Sequence, residues 1–134
     1  VKAVSLFFTC DPSTCSSYGR IVSSRHCQRV VELLKEEHGG KIVCGGSFDI
    51  NENYVEPTIV VDPQSSSGLM QKEIFGPILT VFTCESITSA IEHVNTNATP
   101  LAMYVFSKNQ KTCEQIINST QSGDSNAYIY IYYI

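Results

Sequence analysis

Ile78-Leu79-Thr80-Val81-Phe82-Thr83, followed by Ser86 with Ile87, Ala90, Ile91 and Val94, then Leu101-Ala102-Met103-Tyr104-Val105-Phe106, then Cys113, Ile116 and Ile117, spell out strand, helix, strand, helix. The run at 78–83 is rich in β-branched and apolar residues and predicts a strand buried on both faces. Ser86 is placed to cap a helix whose apolar residues recur at helical spacing and which stops near Asn97. Residues 101–106 predict a second buried strand. Ser107 with Gln110 offers a capping box for a helix that turns Cys113, Ile116 and Ile117 inward. Such alternation implies right-handed crossovers and a parallel sheet with helices packed on it, so the fold class expected is α/β.

Working outward, residues 1–8 resemble the end of a helix, and 10–17, rich in Ser, Pro and Asp, read as a loop. A helix is expected from Ser24 to about Glu37, with Cys27, Val30, Val31 and Leu34 inward, Ser24 as its cap and Gly39-Gly40 as its stop. Residues 41–44 form a short strand, Gly45-Gly46 a tight connection and 47–53 a polar stretch. Residues 54–61 are extended, with Pro57 marking an edge or a strand beginning, and 62–68 make a turn. In the tail, Tyr128, Tyr130 and Tyr132 alternate with Ile129 and Ile131, the pattern of a strand that either pairs with a neighbour or leaves an adhesive edge.

The chain has 134 residues, 43% hydrophobic and 16% charged, within the range of one ordinary domain or part of one. A net charge of −4 and no basic face speak against nucleic acid as a partner. The apolar runs are far too short to cross a bilayer and no leader is visible, so the piece reads as soluble, non-membrane and cytoplasmic. Six cysteines, at positions 10, 15, 27, 44, 84 and 113, include no C-x-x-C pair, and His26, His38 and His93 complete no zinc pattern. They read as reduced thiols, Cys27 and Cys113 on apolar helix faces. Cys27, flanked by His26 and Arg29 near a helix start, is the nearest candidate for an activated thiol, a reading set against its place in the buried stripe.

Just before the strand at 78 stands Gln71-Lys72-Glu73-Ile74-Phe75-Gly76-Pro77. A turn stiffened by Gly76 and Pro77 sets a lone carboxylate and an aromatic ring two residues apart. Glu73 can accept two hydrogen bonds from a sugar diol and Phe75 can pack on a flat heterocycle. The bland alternatives are a solvated surface carboxylate and a core ring closing the turn.

This wording, with Tyr18-Gly19-Arg20-Ile21-Val22-Ser23-Ser24-Arg25-His26, Gln28-Arg29, Gly45-Gly46, Tyr54-Val55-Glu56-Pro57-Thr58 and Pro100-Leu101-Ala102-Met103-Tyr104-Val105-Phe106-Ser107 in the same order, resembles the class 3 branch of the aldehyde dehydrogenases. The resemblance is clear over 18–123, faint over 1–17 and lost over 124–134, where a divergent C-terminal strand replaces the family's wording and Asn126 is a doubtful match to its late Asn. It implies that residues 1–134 are part of the family's α/β, parallel-sheet catalytic (thiol) domain, incomplete here. It implies NAD or NADP as cofactor, Glu73 on the nicotinamide ribose and Phe75 beside the nicotinamide ring. It also implies a small-molecule aldehyde as substrate, oxidised to a carboxylic acid through a Cys thiohemiacetal and thioester, and a homodimer in the full-length protein. No catalytic residue is assigned within the chain, since the family's nucleophilic Cys, base and oxyanion Asn all lie upstream of the residue matching Val1. Val1 with no initiator Met, and the absence of a G-x-G-x-x-G turn, give the expectation of a fragment that is inactive alone. The alternatives are a truncated non-catalytic piece acting in subunit association and a related semialdehyde or acyl-phosphate reductase.

Overall fold

The structure, a computed structural model, describes residues 6, 8 and 11–123. These fall into two compact units divided after Thr83. The tyrosine-rich tail and Asn126 lie outside the described residues.

In the first unit, helix α1 spans Ser24–Lys35 and buries Cys27, Val30, Val31, Leu33 and Leu34. Its cap is Ser23, one residue before the expected Ser24, with the Ser23 side chain accepting from the His26 N–H. The helix ends in extended backbone at Glu36, ahead of the glycines expected to stop it, and the Glu36 carboxylate accepts from the Leu69 N–H instead. Strand β1 (Lys41–Cys44), β2 (Phe48–Asp49), β3 (Tyr54–Val55), β4 (Thr58–Val61), helix α2 (Gly68–Gln71) and β5 (Ile78–Val81) follow.

The main sheet has the order β1-β4-β5. β4 and β5 run parallel in the register Thr58↔Ile78 to Val61↔Val81, as the α/β reading expects, whereas β1 pairs antiparallel with β4, so the sheet is mixed. Pro57 does open a strand, but that strand is the central one: Pro57 brings no N–H to the ladder, and the first one available, on Thr58, donates to the Pro77 carbonyl at 2.8 Å. The polar stretch 47–53 hides a hairpin, β2 with β3, turned by Asp49, whose carboxylate accepts from the Asn51 N–H.

Period-two burial gives this sheet two unlike faces. Val60 and Ile78 join the core with Cys27, Val30, Val31, Leu33, Leu34, Val55 and Leu69, and Thr58 is buried too. The opposite face carries Leu79 and Val81, which are 60% and 40% exposed. The expectation that 78–83 is buried on both sides is therefore corrected: among the described residues β5 is the last strand of its sheet, and its residues alternate between buried and more exposed.

The second unit holds helices α3 (Ile87–Thr96) and α4 (Gln110–Ser119). Ser86 caps α3 as expected, in a reciprocal box with Ser89, and the helix ends at Asn97. The cap of α4 is Asn109, whose side chain accepts from the Lys111 N–H, while Ser107 accepts from Asn109. The shift follows from the better acceptor lying nearer the first turn. Cys113 is fully buried on α4, and Ile116 and Ile117 are half-buried. The expected strand at 101–106 is corrected as well. Only a single bridge, at Ala102, occurs there, although Val105 is buried while Tyr104 and Phe106 are exposed, so the side chains alternate without a ladder among the described residues.

The cysteines 27, 44, 84 and 113 are free thiols. Burial pushes the Cys27 thiol up, which makes a thiolate less accessible and favours the buried-hydrophobe reading. Among the described residues no helix is long and apolar enough to cross a membrane, and no group of three or more His, Cys, Asp or Glu side chains is placed to hold a metal.

Candidate functional site

Between α2 and β5 the chain has no regular structure, and this loop carries the two residues singled out above. Glu73 is exposed, and the Phe75 ring is 78% exposed. Neither is drawn into the core, although their neighbours are: Ile74 packs against the buried cluster, and Gly76 lies on Val30 so closely that a Cβ there would sit 2.8 Å from the Val30 Cγ1. The reversal between those two anchors falls on Phe75, at φ +43°, an uncommon conformation for a bulky side chain. Such backbone is tolerated where its surroundings over-determine it, at a cost of about 1–3 kcal/mol.

Two further contacts fix the loop. The Ile78 N–H donates to the Gly76 carbonyl at 2.9 Å, closing the turn into β5. From α1, half-buried Arg29 donates to two successive main-chain oxygens, Nη2 to Ile74 at 2.6 Å and Nη1 to Glu73 at 3.4 Å. Hydrogen bonds from a guanidinium are charge-assisted, each worth about 1.5–3 kcal/mol when well formed. Nothing local in the sequence announces the Arg29 contact, whose partners lie 44 and 45 residues away. The only hint is its place beside Val30, at the margin of the buried stripe.

A shallow, mainly apolar groove of about 460 Å³ begins where the loop enters β5, lined by Tyr18, Pro57, Ile59, Pro77 and Leu79 among others. Glu73 and Phe75 do not line it. Tyr18 anchors its wall: its hydroxyl donates to the Val55 carbonyl at 2.7 Å and its ring meets Tyr54 and Phe8 edge-on. Arg20 reaches the same cluster with its guanidinium 4.9 Å from the centre of the Tyr54 ring. This gives Tyr18 and Arg20 a structural role, in keeping with the absence of chemistry assigned to them.

Burial is the main cause pushing the Tyr18 hydroxyl up to about 12 from its ordinary 10. The unfolded chain therefore loses this proton first, and Tyr18's contribution to stability is full below pH 10 and is lost as pH rises toward 12. Denaturant midpoints measured across this window should fall less steeply in Tyr18→Phe than in the unsubstituted protein. Parallel slopes contradict the assignment.

The second unit has its own cleft, about 350 Å³, at the C-terminal ends of α3 and α4. Asn95, Asn97, Asn118, Ser119, Thr120 and Gln121 line it with amides and hydroxyls, and none of its lining residues is ionisable. It offers neither a carboxylate for a diol nor a ring for a heterocycle.

Comparison with known proteins places this loop in context. The model of the aldehyde dehydrogenase family matches residues 7–130. The dimeric NADP-preferring aldehyde dehydrogenase of Canis lupus familiaris is 40% identical over 126 residues, which cover 94% of this chain and 27% of the relative. A substrate-bound state of Staphylococcus aureus AldH superposes with a TM-score of 0.85 at 34% identity, over 96% of this chain and 27% of that one. An indole-3-acetaldehyde dehydrogenase in complex with NAD+ gives a TM-score of 0.73 at 27% identity, over 84% and 23%. The chain thus spans about a quarter of the length of these proteins.

Proposed function

Because the chain belongs to the aldehyde dehydrogenase family, we propose that it is part of an NAD(P)-dependent enzyme that oxidises aldehydes to carboxylic acids, in which it supplies the grip on the nicotinamide end of the cofactor. The observation that carries this reading is an exposed carboxylate and an exposed ring, two residues apart, on a loop pinned to helix α1.

The residues suit the group they are proposed to hold. A carboxylate is an acceptor-only group and matches the two hydroxyls of a ribose, so Glu73 orients the sugar. Phe75, turned outward by its positive φ, offers a flat face and limits how far an aromatic ring slides. When bound, the nicotinamide supplies the hydride acceptor for the oxidation. The contribution of Glu73 and Phe75 is geometric: they hold a reacting group in one orientation, which is where positioning lowers a barrier. The resemblance puts the family's nucleophilic Cys upstream of the residue matching Val1, so the nucleophile is assigned to another part of the full-length protein. Assembly as a homodimer in the cytoplasm belongs to the same proposal, and the word "dimeric" in the name of the canine relative supports the dimer.

Reduction of NAD+ or NADP+ by a simple aldehyde tests it. A full-length product that contains this chain is expected to turn over with one of the two cofactors, and the isolated 134-residue chain with neither. Turnover by the isolated chain, or none by the longer product with any aldehyde, contradicts the reading.

A further inference from the structure

Arg29 is the feature that the proposed function leaves unused. Its two donors reach past the side chains of the loop to the main-chain oxygens of Glu73 and Ile74, the residues on either side of which the carboxylate and the ring are presented. The loop meets α1 at two places, Arg29 on the Glu73 and Ile74 carbonyls and Gly76 against Val30, and between them the partly buried Ile74 side chain packs against the core. Arg29 and Val30 are neighbours on one helix, and Val30 is fully buried, so this support is rigid. The bonds go to backbone and leave the Glu73 carboxylate free of this guanidinium.

We infer that Arg29 is a positioning residue for the cofactor: by clamping two successive carbonyls it holds the Phe75 reversal, and so fixes the direction in which Glu73 and Phe75 face. This rests on the reading of Glu73 and Phe75 given above. A planar guanidinium with several donors spans two carbonyls at once, whereas an ammonium is a single point on a flexible stem. The clamp is therefore made better by Arg than by Lys.

The test uses the full-length enzyme and the variants Arg29→Met, Arg29→Lys and Glu73→Gln, with NAD+ or NADP+ as probe. Arg29→Met is expected to raise the KM for the cofactor about tenfold, the loss of roughly one charge-assisted hydrogen bond, while the KM for the aldehyde stays unchanged. Hydride transfer in a single turnover should slow with it, and hydrogen exchange at the Ile78 amide, whose bond to the Gly76 carbonyl closes the loop, should quicken while the amides of α1 hold their rates. Arg29→Lys should recover part of each effect. Should Arg29→Met not fold, Arg29→Lys carries the same comparison with a smaller shift.

Unaltered exchange at the Ile78 amide overturns the clamp. Quickened exchange with an unchanged cofactor KM overturns the positioning role, provided Glu73→Gln still weakens the cofactor. If Glu73→Gln is silent too, it is the reading of Glu73 and Phe75 that falls, and the inference with it.

Discussion

Glu73→Gln in the full-length enzyme is expected to weaken cofactor binding about ten- to a hundredfold and to slow hydride transfer in a single turnover. The substitution keeps the size of an exposed side chain and changes only its hydrogen-bonding character. A carboxylate accepts both ribose hydroxyls through charge-assisted bonds, and an amide presents one acceptor and one donor. The difference between charged and neutral hydrogen bonds is about 1 kcal/mol each, so about 2 kcal/mol for the pair, and each 1.4 kcal/mol is tenfold in binding. Because Glu73 makes no side-chain contact that holds the loop, the stability of the protein should not move. Fluorescence titration with NAD+ and NADP+, together with rapid-mixing kinetics, checks both halves. Unchanged single-turnover rates contradict the role given to Glu73.

Gly45→Ala is expected to have the largest effect on stability. Gly45 lies at φ +73°, a region that costs a residue with a Cβ about 1–2 kcal/mol. An added Cβ there also collides with the Pro57 carbonyl oxygen and sits 2.8 Å from the Thr58 Oγ1. Neither atom can easily retreat. Thr58 is buried at the start of the central strand, where its hydroxyl donates to the Glu56 carbonyl and accepts from the Gly46 N–H, and its own N–H holds the Pro77 carbonyl. Overpacking of this kind costs about 1–3 kcal/mol more. A combined loss of about 2–5 kcal/mol is a large share of the 5–15 kcal/mol that keeps a domain folded. Urea or guanidinium unfolding should show a much lower midpoint or no folded baseline at all. A midpoint within error of the parent contradicts the close approach of β1's end to the head of β4.

How much of this was legible in the residues depends on where the determining contacts lie. The helix at Ser24–Lys35 and the one at Ile87–Thr96 announce themselves because apolar spacing and a nearby serine act within a few residues. The strand Ile78–Val81 was legible from its β-branched and apolar run, as was the stiff turn carrying Glu73 and Phe75, whereas 54–61 showed only as extended and not as the central strand beside it. The hairpin of β2 and β3 was not, since Phe48-Asp49 is too short and polar to show alternation. Residues 101–106 carry the composition of a strand, but a ladder needs a partner that composition does not supply. The antiparallel pairing of β1 joins it to a strand beyond the intervening hairpin, and the positive φ values of Gly45 and Gly46 that follow it, +73° and +105°, are ones the letters permit without requiring. At the site, wording alone pointed to Glu73 and Phe75, whereas Arg29 needed three-dimensional placement, its partners being 44 and 45 residues distant.

A crystal structure of the full-length protein with NAD+ or NADP+ bound bears most directly on the role proposed for this chain. It is expected to find the Glu73 carboxylate within hydrogen-bonding distance of the nicotinamide ribose hydroxyls, and the Phe75 ring against the nicotinamide. A bound cofactor whose ribose is held elsewhere, with Glu73 facing bulk solvent, contradicts it.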